Sequence, residues 1–349
     1  MRSRFLDWRS GPRAAVLAAL AAALLILAMQ SSDPSSAPSL RSGEVGQSDA
    51  SLYRTIVARV HAGEPYYPAT ATALREGHYP LRPFITFRLP TVTWFHASFG
   101  QRTVPLMQWG LAVGVAAAWG YRLWPEVDRP TLVLAVLLLW TGTLGLVEQN
   151  SSLFGESWAA MLVALALALD RRRWLPAALV AGLAAMLFRE LSALAIMILA
   201  TTAWLAGQRK EAIAWLAVAA IFGVVMVLHA SQVAAVVRAD DLVSPGWAGL
   251  LGPAYFLRAL AAVTPLGLLP PALASTLLIL SWFGWWSIPT EWALRSALMI
   301  GGYGLLVALF ARADTFYWAM MVAPLSLVGL AFVPAALRDL VRPRPNASR

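Results

Sequence analysis

Hydrophobic and polar residues follow one another along this chain in long blocks. Apolar runs are separated by short breaks that are charged or rich in proline and glycine. A helix needs about 20 apolar residues to cross a hydrocarbon core of roughly 30 Å. The pattern predicts an all-α integral membrane protein with about ten transmembrane helices, in the runs 14–29, 104–121, 131–147, 158–169, 174–188, 191–205, 212–229, 266–286, 293–310 and 315–337.

Composition agrees with this class. Hydrophobic residues make up 59% of the 349 residues and charged residues only 13%, about half the charged share of a soluble domain. The net charge is +9, but the basic residues cluster in the breaks and tails without interleaved aromatic residues, so we expect no nucleic-acid partner. The chain has no cysteine, which excludes disulfides, thiolate metal sites and thiol nucleophiles.

The basic residues also predict the orientation, because cytoplasmic loops carry an excess of arginine and lysine. Arginines precede the first run, which we interpret as an uncleaved anchor. If 83–99 lies along the outer membrane surface, all the basic breaks face the cytoplasm; if it crosses, Arg171, Arg172 and Arg173 fall outside. The surface placement is therefore favoured, with both termini cytoplasmic. Sparse lysine beside abundant alanine, arginine and tryptophan suggests a bacterial inner membrane.

This topology divides the chain into five parts. They are a cytoplasmic tail (1–13), a seven-helix core (14–229) that includes an outer loop (30–103), a second outer loop (230–265), closing helices (266–337) and a cytoplasmic tail (338–349).

Asp49 is the first candidate for chemistry. It precedes apolar residues at helical spacing (Leu52, Ile56, Val57 and Val60), a pattern typical of an amphipathic helix on a membrane surface. Asp49 could be only the N-terminal cap of that helix. Alternatively, it is a carboxylate at the membrane boundary that takes a proton from an acceptor hydroxyl.

Arg189 and Glu190 are the second candidate. They interrupt the apolar stretch 174–205, which as one helix would be about 48 Å long, too long for one crossing. Two short helices should therefore meet at this pair. The pair could simply close the turn as an ion pair, or line a cavity in which Arg189 binds a phosphate.

The remaining polar turns are weaker candidates. The turn 148–152, with Glu156 beyond it, is typical of a solvated loop, whereas Arg312 and Tyr317 begin the last span on the same side as Asp49. The four histidines lack metal-ligand spacing. An Asp49 and His78 pair remains open, so we assign no metal ligand and no firm cofactor, while a divalent metal stays an option.

Three short motifs resemble the C-type glycosyltransferase superfamily (GT-C), membrane enzymes that use polyisoprenyl-phosphate sugars. Residues 49–53 and 62–68 are similar to its acidic residue, short aromatic helix and Gly-x-Pro-Tyr turn. Residues 171–190 resemble its basic loop, small-residue helix and cationic break, where relatives often have Lys-Pro. Residues 312–324 resemble its last helix. The chain departs from the pattern in its single aspartate and in Arg189-Glu190.

The resemblance implies a GT-C-like fold and an inverting, mannosyltransferase-like enzyme on the outer face. Asp49 is then the catalytic base. Its partners are a polyisoprenyl-phosphate-linked sugar, membrane lipids and a glycan, lipid or protein acceptor. The alternative is a permease or flippase for a lipid-linked or small solute, although no internal repeat is visible. The candidate substrate-binding residues are Tyr53, His78, Arg82, Arg189, Glu190, Arg312 and Tyr317.

Overall fold

The computed structural model describes residues 3–6, 8, 10–31, 42–148, 150–247 and 249–341. All regular elements in these ranges are helical, which confirms the predicted all-α class. The α-helices are α1 (Ser10–Ser31), α2 (Ser42–His61), α3 (Tyr66–Glu76), α4 (Thr91–Leu123), α5 (Arg129–Leu144), α6 (Gly155–Leu169), α7 (Leu175–Phe188), α8 (Ala193–Leu205), α9 (Arg209–Ala234), α10 (Gly252–Ala262), α11 (Pro271–Ser287), α12 (Glu291–Phe310) and α13 (Val333–Val341). The 3-10 helices are Phe84–Thr86, Ser151–Leu153, Glu190–Ser192, Pro265–Leu268, Ala313–Leu325 and Val328–Phe332.

Three helical segments of the described chain are long and apolar enough to cross a membrane. They are Arg209–Ala234, Glu291–Phe310 and Ala313–Val341. Five further apolar helices are shorter: Gly11–Leu24, Arg129–Leu144, Gly155–Leu169, Leu175–Phe188 and Glu190–Leu205. The total of ten crossings therefore stays a prediction.

The apolar stretch 174–205 is divided where its length predicted. Helix α7 ends at Phe188, Arg189 is extended (φ −153°, ψ 118°), and a 3-10 turn leads into α8 at Ala193. The prediction of two short helices meeting at Arg189-Glu190 is confirmed. Arg189 and Glu190 therefore lie between the two α-helices and belong to neither of them.

Residues 83–99 form the 3-10 turn Phe84–Thr86 and the first arm of α4. Gly100 has φ 80° and ψ 162°, so it separates this arm from the rest of α4. A positive φ is a conformation that glycine adopts at little cost. The kink gives residues 91–99 a direction different from the run 104–121, while their position on a membrane surface remains a prediction.

The basic breaks gather at one end of the molecule, which we call the basic end. Arg122 donates to the carbonyl of Asp170, and the buried Arg295 pairs with Asp170 and, at 2.9 Å, with Glu211. Arg171 reaches back to the carbonyl of Arg122. These contacts join the breaks before α5, α7 and α9 to α12.

Both termini of the described chain meet the same end. The backbone amide of Ser3 donates to the carboxylate of Asp339 at 2.8 Å, and the amide of Arg4 donates to the carbonyl of Ser287. Gln208 donates to Glu291 across the α8–α9 and α11–α12 breaks. Ser3, Arg4 and Asp339 therefore lie on the side of the arginine-rich breaks.

Tightly packed aromatic side chains fill the core next to the basic end. Trp119, Trp285, Trp292 and Phe332 contact one another with ring centroids 5.5–6.3 Å apart, and all four are almost fully buried. Close approach of α11 to the 3-10 turn Val328–Phe332 requires glycine, because a Cβ on Gly284 would lie 1.9 Å from the carbonyl oxygen of Gly329. The helices are thus closely packed here.

Helices α2 and α3 sit at the opposite end, which we call the site end. Leu52 and Ile56 of α2 pack with Tyr66 and Leu74 of α3 and with Val233 near the end of α9. The amphipathic helix predicted after Asp49 is therefore present, and its apolar face is buried against protein.

Candidate functional site

A cavity of about 260 Å³ opens at the site end. Its walls come from α2, α3, the start of α4, the start of α6, the α7–α8 break and the segments that precede α10 and follow α12. Six of the eight residues proposed from the sequence line it: Asp49, Tyr53, Arg189, Glu190, Arg312 and Tyr317. Residues that are more than 250 positions apart in sequence thus share one space.

Asp49 lies inside helix α2 and not at its start, because the helix begins at Ser42. The interpretation of Asp49 as an N-terminal cap is therefore wrong. Its carboxylate accepts a hydrogen bond from the Tyr79 hydroxyl at 2.9 Å. Burial raises the pKa of Asp49 above its ordinary value, while the Tyr79 hydrogen bond and the charge of Arg88 act in the opposite direction. A carboxylate of this kind is a better proton acceptor than an exposed one.

Arg189 is enclosed by two carboxylates. Its Nε lies 2.7 Å from Oε1 of Glu156, and its Nη1 pairs with Glu190. Both Arg189 and Glu156 are nearly inaccessible to solvent, at 3% and 4% side-chain exposure. The positive charge of Arg189 is therefore already balanced, and the pair joins the α7–α8 break to the start of α6.

Arg88 is far more open than Arg189 and, unlike Arg312, has no carboxylate within hydrogen-bond distance in the described chain. Its nearest carboxylate in the described chain is Glu190, with Nη1 3.6 Å from Oε1, beyond hydrogen-bond distance. Nη2 lies 3.4 Å from the hydroxyl of Tyr317. The Tyr66 hydroxyl fixes the backbone of Arg88 by donating to its carbonyl at 2.7 Å. About a third of the Arg88 side chain stays exposed, so it can still receive an anion.

Arg312 lies at the cavity rim, held by the segment that follows α9. Its guanidinium pairs with Asp314 at 2.9–3.0 Å and donates to the carbonyl of Gly246 at 3.0 Å. The same segment adds Ser244 and Trp247 to the lining. The second outer loop of the predicted topology thus contributes to this cavity.

Two tyrosines place hydroxyl groups near the centre of the site. Tyr53 is one helical turn beyond Asp49 on α2, and its ring packs edge-on against Phe154. Burial raises the pKa of Tyr53 above its ordinary value, so the hydroxyl keeps its proton and remains a donor. Tyr317 offers a second hydroxyl beside Arg88.

His78 and Arg82 do not line the cavity, contrary to the sequence-based choice of both as substrate-binding residues. His78 is exposed in a turn with φ 55°. Arg82 donates to the backbone carbonyl of Asp241 at 2.7 Å. Arg82 thus serves to attach the segment after α9, which an isolated bridge between Arg82 and Val243 also holds.

Arg88 and Glu156 line the cavity but were not chosen from the sequence. Arg88 was interpreted only as an interruption of an apolar segment, and Glu156 as a neighbour of a solvated turn. One signal was available for Glu156: it is the single charged residue between Gly155 and Leu169, an otherwise apolar helix. Charged residues in such helices usually face a protein interior or a cavity.

Side chains that could bind a metal ion are not clustered in the described chain. Within the described ranges, no three or more His, Asp or Glu side chains are grouped so that they could hold a metal ion. The Asp49 carboxylate accepts a hydrogen bond from the Tyr79 hydroxyl, and His78 is exposed and does not line the cavity. The pairing of Asp49 with His78 and the need for a divalent metal stay predictions.

The arrangement combines a proton acceptor with cations in one partly enclosed space. Asp49 can receive a proton, while Arg88 and Arg312 can stabilise negative charge on an adjacent group. Apolar side chains such as Leu89 and Phe310 complete the lining. Chemistry on a substrate with both an anionic and a hydroxyl group fits these features.

No protein-family model, curated protein sequence or solved structure matches this chain.

Proposed function

We propose that this chain is a multi-pass membrane glycosyltransferase of the C-type. It transfers a sugar from a polyisoprenyl phosphate to an acceptor hydroxyl at the site end. The observation that carries the proposal is that Asp49 shares one cavity with Arg88 and Arg312, although Arg312 is more than 220 positions beyond the other two residues. Transfer needs a base and an anion site within reach of one substrate pair.

In the proposed reaction, Asp49 accepts the proton of the acceptor hydroxyl. The acceptor oxygen forms a bond to the anomeric carbon as the bond from that carbon to the phosphate oxygen breaks. The products are the glycosylated acceptor, the polyisoprenyl phosphate and a protonated Asp49, which loses its proton to water. A single displacement inverts the configuration at the anomeric carbon.

The donor phosphate is assigned to Arg88 together with Arg312. We expected Arg189 to bind it, but Glu156 and Glu190 already balance that charge. Arg88 has its nearest carboxylate at 3.6 Å and retains exposed surface. Arginine suits this role because its planar fork can contact two phosphate oxygens. Arg189 is then a residue that holds the α7–α8 break against α6.

The membrane part of the proposal rests on the apolar helices and on the common end of the arginine-rich breaks. With those breaks and both tails cytoplasmic, the cavity faces the outer compartment of a bacterial inner membrane. Each of the ten predicted runs overlaps at least one helical segment. The donor lipid can then remain in the bilayer while its phosphate reaches the cavity.

A permease or flippase is less well supported by the packing. A carrier must open its substrate site to both sides of the membrane in turn. Between the cavity and the basic end lie Trp119, Trp285 and Trp292, all nearly fully buried. The break beside them is also closed by the buried contact of Arg295 with Asp170. These contacts favour a site with one open side.

The direct test is sugar transfer by the full chain in proteoliposomes. Purified protein is given radiolabelled polyisoprenyl-phosphate sugars and a mixture of envelope glycan and lipid acceptors, and uptake of the free solutes is measured in parallel. We expect labelled acceptor and free polyisoprenyl phosphate in equal amounts. Transport of a solute or of the intact lipid without cleavage of the sugar–phosphate bond would refute the proposal. Repeating the assay with a chelator tests for a divalent metal.

A further inference from the structure

A second cavity lies at the basic end, between α1 and α11. Its volume is about 400 Å³, within the range of roughly 300–1,000 Å³ that small-molecule sites occupy. One wall is formed by residues of α1 at helical spacing (Val16, Ala19, Leu20 and Ala23) and the other by Ile279, Trp282, Phe283 and Trp286 of α11. We call this space the α1–α11 groove.

The groove is apolar along its length and closed at the basic end by aromatic side chains. Phe5 stacks on Phe283 with ring centroids 5.7 Å apart, and Trp8 packs edge-on against Phe5. Ala19 and Ala23 leave the space open, since larger side chains there would fill it. Such a groove suits a flexible hydrocarbon chain.

A positive charge stands at the closed end of the groove. Arg4 lines it, donates from Nη2 to the carbonyl of Ile288 at 2.8 Å, and lies 6.0 Å from the ring centroid of Trp286. These contacts fix the guanidinium beside the apolar walls. A guanidinium has five N–H donors, which suits it to bind a phosphate as well as the carbonyl. Residues 1–13 contain four arginines and one aspartate, so this end attracts anions.

We infer that the α1–α11 groove binds one anionic glycerophospholipid, with an acyl chain between α1 and α11 and the phosphate at Arg4. Trp8 and Trp286 line the groove together with Arg4, and tryptophan is commonly found at the level of lipid headgroups. Basic residues beside a membrane favour anionic lipid. The site is separate from the cavity at the site end, so it stands whether or not the chain is a glycosyltransferase.

The test is lipid retention by the full chain. The purified protein is exchanged into an equimolar mixture of dioleoyl phosphatidylglycerol and dioleoyl phosphatidylcholine, and tightly retained lipid is counted by mass spectrometry. One basic residue near a membrane contributes about 1 kcal/mol, so we expect about a fivefold preference for phosphatidylglycerol. Equal retention of the two lipids by the wild type would overturn the inference.

Two variants locate the site. Arg4→Gln should bring the two lipids to equal retention without lowering the amount of phosphatidylcholine. Ala19→Phe should fill the groove and abolish retention, whereas Ala18→Phe, which places the same ring on a neighbouring, exposed face of α1, should retain lipid as the wild type does. An unchanged preference in Arg4→Gln, or equal retention by the two phenylalanine variants, would show that the lipid binds elsewhere. If Ala19→Phe does not give a monodisperse protein, Arg4→Gln decides alone.

Discussion

Replacement of Asp49 by Asn is the most direct test of the proposed mechanism. Asparagine has nearly the same shape, and its side-chain oxygen can still accept the Tyr79 hydrogen bond that the carboxylate accepts at 2.9 Å. It cannot take a proton from the acceptor. A positioned general base contributes about 10²–10⁴-fold, so we expect kcat to fall by that factor. The activation free energy then rises by about 3–5 kcal/mol.

Folding should be almost unaffected by this change. Loss of the charge weakens the Tyr79 hydrogen bond by about 1 kcal/mol, but it also removes a carboxylate that burial disfavours. We therefore expect the thermal unfolding midpoint in detergent to stay near that of the wild type. Glu64→Gln is the matched control, because Glu64 is exposed between α2 and α3 and undergoes the same chemical change away from the cavity.

The pH profile gives a second readout of the same variant. Burial raises the pKa of Asp49, and the reaction needs its carboxylate form, so kcat/KM of the wild type should rise with pH through a pKa above the ordinary aspartate value. The residual activity of Asp49→Asn should lack this acid limb. A variant that keeps more than about half of the activity, or keeps the acid limb, would refute the assignment of Asp49 as the base.

Three further predictions concern the neighbouring charges. Arg88→Gln should raise the KM for the polyisoprenyl-phosphate sugar about 10–100-fold, since a charged hydrogen bond contributes about 1.5–3 kcal/mol. The control Arg54→Gln, on the exposed face of α2, should leave this KM unchanged. Equal KM values for the two variants would exclude Arg88 as the phosphate ligand. Glu156→Gln should lower the free energy of unfolding by about 3–5 kcal/mol because it breaks a buried ion pair, against less than about 1 kcal/mol for the exposed Glu126→Gln; similar thermal shifts for both would contradict the buried pairing. Hydrogen bonds from Arg75 lower the pKa of Asp241 to about 2. This pair should therefore stabilise the protein above pH 4 and lose its effect as the pH falls toward 2. Asp241→Asn should unfold at a lower temperature than the wild type at neutral pH and at the same temperature near pH 2.

The length of the apolar stretch 174–205 predicted that it is divided into two helices. The thickness of the hydrocarbon core limits the length of a single crossing, whatever the helix packs against. The arginine-rich breaks were also predicted to lie on one side of the protein, because basic residues concentrate on the cytoplasmic side of a membrane protein. Arg295 shows where such reasoning stops. Its pairing with Asp170 and Glu211 across three helices depends on packing that no local pattern encodes.

Only some of the residues of the site could be predicted from the sequence. Asp49 and Arg189 stood out because each is a charge in an unusual local setting. Arg88 did not, because its partners Glu190 and Tyr317 are more than 100 and 200 positions away. The absence of Arg82 from the cavity lining has the same origin, because its guanidinium donates to a backbone carbonyl 159 positions away. The cap interpretation of Asp49 failed because α2 begins earlier, at Ser42.

The balance of charge in the cavity explains why binding of an anionic donor should depend on Arg88 in particular. The lining contains three arginines and four carboxylates, a formal charge of −1, from Arg88, Arg189, Arg312, Asp49, Glu156, Glu190 and Asp314. The cavity as a whole therefore does not attract a phosphate. Arg189 lies between two carboxylates and Arg312 pairs with one. Arg88 has only Glu190, at 3.6 Å and shared with Arg189, so Arg88 retains the most charge for an incoming anion. Because Arg88 also lowers the pKa of Asp49, a phosphate that neutralises Arg88 should raise that pKa and make Asp49 a stronger base when the donor is bound.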